Sequence, residues 1–431
     1  MSLAPSNTAI PTAPDSALPA ARAPLKPFDL ALAELLARAA PLPGIETVST
    51  FDADGRVLAQ DLVASLNVPA HDNSSMDGYA VRCTDWKNSS TVFEVTQRIQ
   101  AGSNGQTLLP GSVARIFTGA PIPPGSDAVV MQEDCETSAA GTEPHPRVRI
   151  QAQPKPGQWI RRCGEDVAAG AVVLHRGERM TPASLGLAAS IGFAHLQVSK
   201  RVRVALFSTG DELVMPGAVA PADMRPGAIY NSNRFFLKAL LQRLGCTVSD
   251  LGIVPDRLDA TIAALKGASQ QHDLILTSGG VSVGEEDHIK PAVQALGELS
   301  LWQIAIKPGK PFAYGQVKAA HFIGLPGNPV SSFVTFLLLV RPFILKLQGA
   351  TEIAAKSIAL PAHFDWAKAD KRREFLRVRR DEAGGLELFA NQSSGVLTSA
   401  VWADGLVDNP PGQAIAYGDT VQFLPFSALM S

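Results

Sequence analysis

Between residues 202 and 349 the chain alternates short apolar runs with amphipathic stretches, and no other feature restricts its fold as strongly. The runs at 202–208, 247–254, 273–277, 301–306 and 321–324 have the length and composition of strands, whereas 231–244, 257–268 and the stretch from about 330 carry apolar residues at helical spacing. Asn231 or Ser232 can cap the first of these helices, and Gly245 can stop it. Strands joined by helical crossovers run parallel, and strands covered on both faces read as unbroken apolar runs. A mostly parallel sheet with helices on both sides is therefore expected here.

In an open sheet of this kind ligands bind beyond the carboxyl ends of the strands. The five runs end, in order, at Thr209-Gly210-Asp211-Glu212, Pro255-Asp256, Ser278-Gly279-Gly280, Lys307-Pro-Gly-Lys310-Pro311 and Leu325-Pro326-Gly327-Asn328-Pro329 when the first, second, third, fourth and fifth are taken in turn. After the third run, adjacent glycines allow a sharp turn and close approach to a ligand, and Thr277, Ser278 and Ser282 add hydroxyl donors suited to an oxyanion. Beyond Gly284, the carboxylates Glu285, Glu286 and Asp287 stand where a hard cation could bridge to that anion. A solvated strand-to-helix loop would explain this segment alone. Two lysines framing Pro-Gly and acids repeated on neighbouring loops favour a site. Lysines and loop amides attract anions while Glu212, Asp256 and Asp287 repel them, a conflict that Mg²⁺ bound between carboxylates and substrate phosphates would resolve. Neither a P-loop nor a Gly-x-Gly-x-x-Gly turn is present, which disfavours a nicotinamide-binding domain.

The rest of the chain is mainly β-rich. Leu30, Leu32, Leu35 and Leu36 suggest an amphipathic helix ending before Pro41. Residues 67–149 are dense in Gly, Pro and Val, residues 157–198 read as strands around a helix at 182–191, and the chain beyond 352 returns to strand patterns. A length of 431 residues implies two to four domains, and 46% hydrophobic with 18% charged residues is a globular composition. A net charge of -2 without a basic block argues against nucleic acid, so Arg372-Arg373 and Arg379-Arg380 read as surface or partner contacts. Four scattered cysteines suggest neither a disulfide framework nor a zinc site and suit a reduced cytoplasm. The Ala-, Pro- and Ser-rich start, residues 1–24, reads as a disordered tail. The apolar run at 333–340 stops at Arg341-Pro342, far short of the roughly 20 residues that span a bilayer, and is expected to be a buried helix rather than a membrane segment.

Two further segments are unusual. Asp72-Asn-Ser-Ser-Met-Asp77-Gly-Tyr-Ala packs two carboxylates and short polar groups into nine residues, and Arg115-Ile-Phe-Thr118-Gly-Ala-Pro is a turn-rich loop between apolar runs. Asp77-Gly78 could equally be a hairpin turn. Together with Arg161-Arg-Cys-Gly-Glu-Asp166, Ser208-Thr-Gly-Asp-Glu-Leu213, the loop ending at Asp287, Lys307 to Pro311 and Gly324-Leu-Pro-Gly-Asn-Pro-Val-Ser331, these segments resemble the molybdopterin molybdenumtransferase family, which includes MoeA and the E domain of gephyrin.

That resemblance runs in order from about Phe28 to near the end of the chain. It implies an elongated, cytoplasmic, four-domain homodimer of α/β-plus-β class: an arm that dimerises, from 25–71 and 156–200; a β-rich domain at 72–155; a MogA/MoaB-like α/β domain with Rossmann-like layers at 201–349; and a β-barrel-like domain at 350–431. It implies hydrolysis of adenylylated molybdopterin with molybdate and Mg²⁺, releasing AMP and molybdenum cofactor. The implied catalytic residues are Asp77, Thr118, Glu212, Asp256, Asp287 and Lys307, with Glu212, Asp256 and Asp287 as candidate metal ligands. Substrate contacts would come from Arg161, Ser208, Thr209, Gly210, Ser278, Gly279, Gly280, Ser282, Gly284, Lys310, Pro326, Gly327, Asn328 and Pro329. Partners would include the adenylyltransferase and recipient molybdoenzymes. The sequence departs from relatives at Ala70-His71, where a bulky apolar residue often precedes Asp-Asn-Ser, and at Lys371, where a glycine often precedes the arginines. The alternatives are the preceding adenylylation step and a non-catalytic carrier or scaffold.

Overall fold

The computed structural model describes residues 24–138, 145–281 and 288–430, apart from the side chain of Leu301. The expected tail and the candidate residues Ser282, Gly284 and Asp287, with Glu285 and Glu286, lie outside the described residues.

The α/β unit is built on a six-stranded sheet. Its strands are β1 (Arg203–Thr209), β2 (Thr247–Val254), β3 (Leu274–Ser278), β4 (Gly297–Gln303), β5 (Pro311–Val317) and β6 (Ala320–Leu325), in the spatial order β2-β1-β3-β6-β5-β4. The first four in that order are parallel, whereas β5 runs antiparallel to β6 and β4 antiparallel to β5. Period-two alternation divides the sheet between two cores. Val204, Leu206, Leu274, Leu276 and Ile323 face helix α1 (Asn233–Arg243) and the long helix Pro329–Leu347, while Ala205, Phe207, Ile275 and Phe322 face α2 (Leu258–Gln271) and α3 (Ile289–Leu296). Burial on both faces accounts for the unbroken apolar runs of the central strands.

Two differences from the sequence reading concern the far edge of this sheet. The expected strand at 301–306 is divided: its first residues complete β4, and Ile306–Lys307 crosses into another sheet. Strand β5, just after the lysine loop, carried no clear alternation because it opens on Pro311 and contains Gly315. That glycine is needed where it stands, since a Cβ there would lie 2.5 Å from the Glu298 carbonyl oxygen.

The helix Pro329–Leu347 contains a π-helical stretch at Phe336–Val340 and is apolar enough to cross a membrane by composition, yet 94% of its apolar window is buried. It is the core helix of the α/β unit. The helix Phe28–Ala37 packs into the same core through Phe28, Ala31 and Leu35, so it belongs with the α/β unit although the chain around it reads as part of the arm. From Ile45 onward the two arm segments pair, Ile45–Ser49 with His195–Ser199 and Leu62–Val63 with Val172–Leu174, and Asn73–Ser74 at the start of the β-rich unit pairs with Ile160–Arg161 of the arm, all antiparallel. Helix Pro182–Ser190 begins at a capping box formed by Thr181 and Ser184.

Between those segments lies a six-stranded sheet from Gly78–Val81 to Arg147–Ile150, in which Val92–Ile99 and Ser112–Ile116 are parallel neighbours. The carboxy-terminal unit is built on a third six-stranded sheet led by Arg373–Arg380, Gly405–Asn409 and Thr420–Pro425, and Ile306–Lys307 supplies one of the six strands, beside Arg373 and Glu374.

Candidate active site

Beyond the carboxyl ends of β1, β2, β3 and β6 lies an open cavity of about 770 Å³. Four of the five loops singled out from the sequence meet in it: Ser208, Thr209, Gly210 and Glu212 after β1, Asp256 after β2, Ser278, Gly279 and Gly280 after β3, and Pro326, Gly327, Asn328 and Pro329 after β6. From the lysine loop only Pro311 reaches the wall.

The adjacent glycines after β3 are required by their geometry. Gly279 and Gly280 have φ values of +94° and +66°, and a Cβ on Gly279 would sit 3.0 Å from the Thr209 carbonyl oxygen. The Gly279 amide donates to Leu325 O at 3.0 Å, joining the ends of β3 and β6. Two helices begin at this cavity, α1 at Asn233 and the long helix at Pro329, so the positive ends of two helix dipoles lie at its wall. Buried polar atoms add donors. Ser208 Oγ and Asn231 Nδ2 have no hydrogen-bond partner, although their residues are only 1% and 2% exposed. Groups so deeply buried and unpaired suit a polar ligand that supplies acceptors.

No lysine or arginine is among the described residues lining the cavity, so attraction for an anion comes from amides, hydroxyls and helix ends. Lys307, an expected anion ligand, instead holds its ammonium 2.9 Å from Glu374 and 3.6 Å from Asp370, with the Trp366 ring 5.6 Å away. Lys310 also lies off the described lining, its carbonyl accepting the Ile304 amide. Glu212 and Asp256 are the described carboxylates on the cavity wall. The described residues contain no group of three or more His, Cys, Asp or Glu side chains arranged to hold a metal. Two carboxylates do fit an Mg²⁺ ion that takes its remaining ligands from substrate phosphate and water.

Asp77, Thr118 and Arg161 are not on this wall. They belong to a second polar cluster at the end of the β-rich sheet. The Thr118 amide and hydroxyl both donate to Asp77 Oδ1 at 2.8 Å, and these two bonds hold the Asp77 carboxyl below its usual range. Arg115 braces that loop, donating to Gly78 O and Gln132 Oε1 and stacking on Phe117 and Tyr79. Nearby, Asp72 accepts from the Cys163 amide and from Arg162 and is likewise held low, while exposed Arg161 pairs across from Asn73.

Several wall residues escaped the sequence reading. Asn231 could be read only as a possible cap, and Tyr230, Asn233 and Ser331 gave no separate signal. Gly395 comes from the carboxy-terminal unit, beside Ser394, whose carbonyl accepts the Val330 amide at 3.0 Å.

Residues 26–192 match the MoeA N-terminal region (domain I and II), 205–346 a probable molybdopterin binding domain, and 359–426 the MoeA C-terminal region (domain IV). The chain is 42% identical over 398 residues to a molybdopterin molybdenumtransferase of Haemophilus influenzae, covering 89% of this chain and 95% of that one. The chain belongs to the molybdopterin molybdenumtransferase family. A second relative, molybdopterin molybdenumtransferase 2 of Mycobacterium tuberculosis, is 37% identical over 88% of this chain and 93% of its own length. Among solved structures, the molybdopterin biosynthesis MoeA protein of Pyrococcus horikoshii OT3 superposes with a TM-score of 0.80 at 26% identity, covering 93% of this chain and all of its own. As a molybdopterin molybdenumtransferase the chain is a transferase of molybdenum cofactor biosynthesis, with the multidomain, sheet-rich architecture of MoeA.

Proposed function

We propose that this transferase takes adenylylated molybdopterin and molybdate as substrates, hydrolyses the adenylate with Mg²⁺ and releases AMP and the molybdenum-loaded pterin. The observation that carries this reading is a cavity whose wall is rich in oxyanion donors, has two carboxylates and lacks a described basic side chain. Such a wall can take phosphate oxygens through its amides and hydroxyls and a cation through its carboxylates, which suits a phosphoanhydride that arrives with its own metal ion.

In this reading the Gly279 and Gly280 turn, Ser278, Ser208 and the helix start at Pro329 bind the phosphate and exclude bulk water from it. Glu212 and Asp256 would hold Mg²⁺, with Asp287 as a further candidate, and the ion would neutralise charge developing on the phosphate. Thr209, Gly210, Pro326, Gly327 and Asn328 shape the wall around the substrate.

Asp77, Thr118 and Arg161 would complete the site from a second copy of the chain. The arm supports such a homodimer: Phe51 is 96% exposed, and Ile45, Val63, Leu66 and Val172 add apolar surface. Contiguous exposed apolar surface of this kind is what an interface between protein chains buries. A cytoplasmic homodimer receiving substrate from the adenylyltransferase and passing product to molybdoenzymes is consistent with this reading.

The test is incubation of the purified protein with adenylylated molybdopterin, Mg²⁺ and molybdate, monitoring AMP and pterin-bound molybdenum. Molybdate-dependent AMP release is expected. AMP release indifferent to molybdate, or ATP-dependent adenylylation of molybdopterin, would reject molybdenum insertion.

A further inference from the structure

Asn233, the first residue of α1, is 8% exposed and lies where three elements meet. Its Nδ2 donates to Gly327 O at 2.7 Å and to Ser278 Oγ at 2.7 Å. A peptide carbonyl can only accept, so the Gly327 contact fixes which end of the amide faces inward. The second hydrogen on that nitrogen then points at Ser278 Oγ, which must accept it. Ser278 is left with its own proton to give, and no described acceptor takes it. The residue is 4% exposed and stands on the cavity wall.

We infer that Asn233 is a positioning residue that sets the polarity of the Ser278 hydroxyl, making it an obligate donor toward the anionic group bound in the cavity. The fixed order is Gly327 carbonyl, Asn233 amide, Ser278 hydroxyl, ligand. Without it the hydroxyl could rotate and present a lone pair to an anion, turning attraction into repulsion. The inference rests on the proposed adenylate site, because it assigns the ligand group as a phosphate.

The test is a double-mutant cycle with Asn233→Leu, Ser278→Ala and the double variant, reading AMP affinity by calorimetry and kcat and KM for adenylylated molybdopterin. Each single change is expected to weaken AMP binding by about 10- to 100-fold, the range for one hydrogen bond to a charged group. If Asn233 acts through Ser278, the double variant loses no more than about threefold beyond the weaker-binding single variant. Losses that multiply would overturn the inference, since a general loosening of the helix start would add to the loss of the serine. Where Asn233→Leu does not fold, as judged by its melting curve, Asn233→Ala replaces it in the cycle. Failure of the wild-type protein both to bind AMP and to turn over would instead reject the functional reading, and with it this assignment.

Discussion

Asp77 shows how much a residue's neighbours decide what it can do. One carboxylate oxygen takes two hydrogen bonds from Thr118, the amide contributing more than the hydroxyl to the lowered pKa. A carboxyl whose native pKa lies below its unfolded value stabilises the fold fully above that unfolded value, near 3.8, and loses the contribution as pH falls through the lowered native one. The Asp77–Thr118 turn should therefore remain ordered at neutral pH and loosen only under strong acid. Replacing Thr118 by Val removes the hydroxyl but keeps the amide, so the Asp77 midpoint should rise toward 3.8 without reaching it, as read by NMR titration of the carboxyl carbon. An unmoved midpoint would show that the hydroxyl does not engage Asp77 in solution. That Gly279, Gly280, Glu212 and Asp256 lie at the cavity wall was legible in the sequence because paired glycines and acids stand out at the ends of apolar runs. Asn233 was not, since an asparagine at a helix start looks like any polar turn residue until its partners, Ser278 and Gly327, are brought to it by folding. Lys307 was misplaced for the same reason: a lysine beside Pro-Gly suggests an anion, and only tertiary structure brings Glu374 and Asp370 to it.

At the scale of elements, the helices and central strands were readable because burial on known faces leaves a periodic trace. The strand Thr247–Val254 has the bounds its apolar pattern implied. Periodicity does not say which unit a helix joins. Leu30, Leu32, Leu35 and Leu36 mark Phe28–Ala37 as amphipathic, but the face it covers belongs to the long helix Pro329–Leu347, about three hundred residues onward. Leu35 is fully buried in that shared core. Leu35→Ala should therefore lower the stability of the α/β unit by about 2–5 kcal/mol, the usual cost of emptying a packed leucine site. Urea unfolding checks this. A loss below about 1 kcal/mol would place the helix outside the cooperative core. The far edge of the sheet was the least legible element because β4 and β5 meet through glycines, and a glycine chosen for close strand approach leaves no apolar signature.

The whole molecule is joined across the boundary between the α/β and carboxy-terminal units by three features at one place. Ile306–Lys307, leaving the α/β sheet, pairs with Arg373 and Glu374 of the terminal sheet. Phe375, Leu406, Leu424 and Phe426 of the terminal unit share a core with Phe333 and the long helix. Glu374, 1% exposed, satisfies Lys307 with one carboxylate oxygen and the Trp366 ring nitrogen with the other, at 2.9 and 2.7 Å. A shared apolar core makes separate unfolding costly, so one cooperative calorimetric transition is expected for the two units. Glu374→Ala strands the Trp366 donor and leaves Lys307 with Asp370 alone. The Lys307 side chain is 36% exposed and recovers part of its loss from water, so a cost of about 1–3 kcal/mol is expected, dominated by the part-buried tryptophan donor. Glu374→Gln keeps the shape and can keep an acceptor for Trp366, and should cost less than Glu374→Ala. Scanning calorimetry of the wild type and both variants decides the matter. Equal losses in the two variants would show that the ion pair, not the tryptophan bond, carries the coupling; a separate early transition in the wild type would show that the two units are not coupled at all. Because Gly395 of the terminal unit lines the cavity and Ser394 beside it accepts the Val330 amide, a junction that loosened ahead of the rest would also loosen the site.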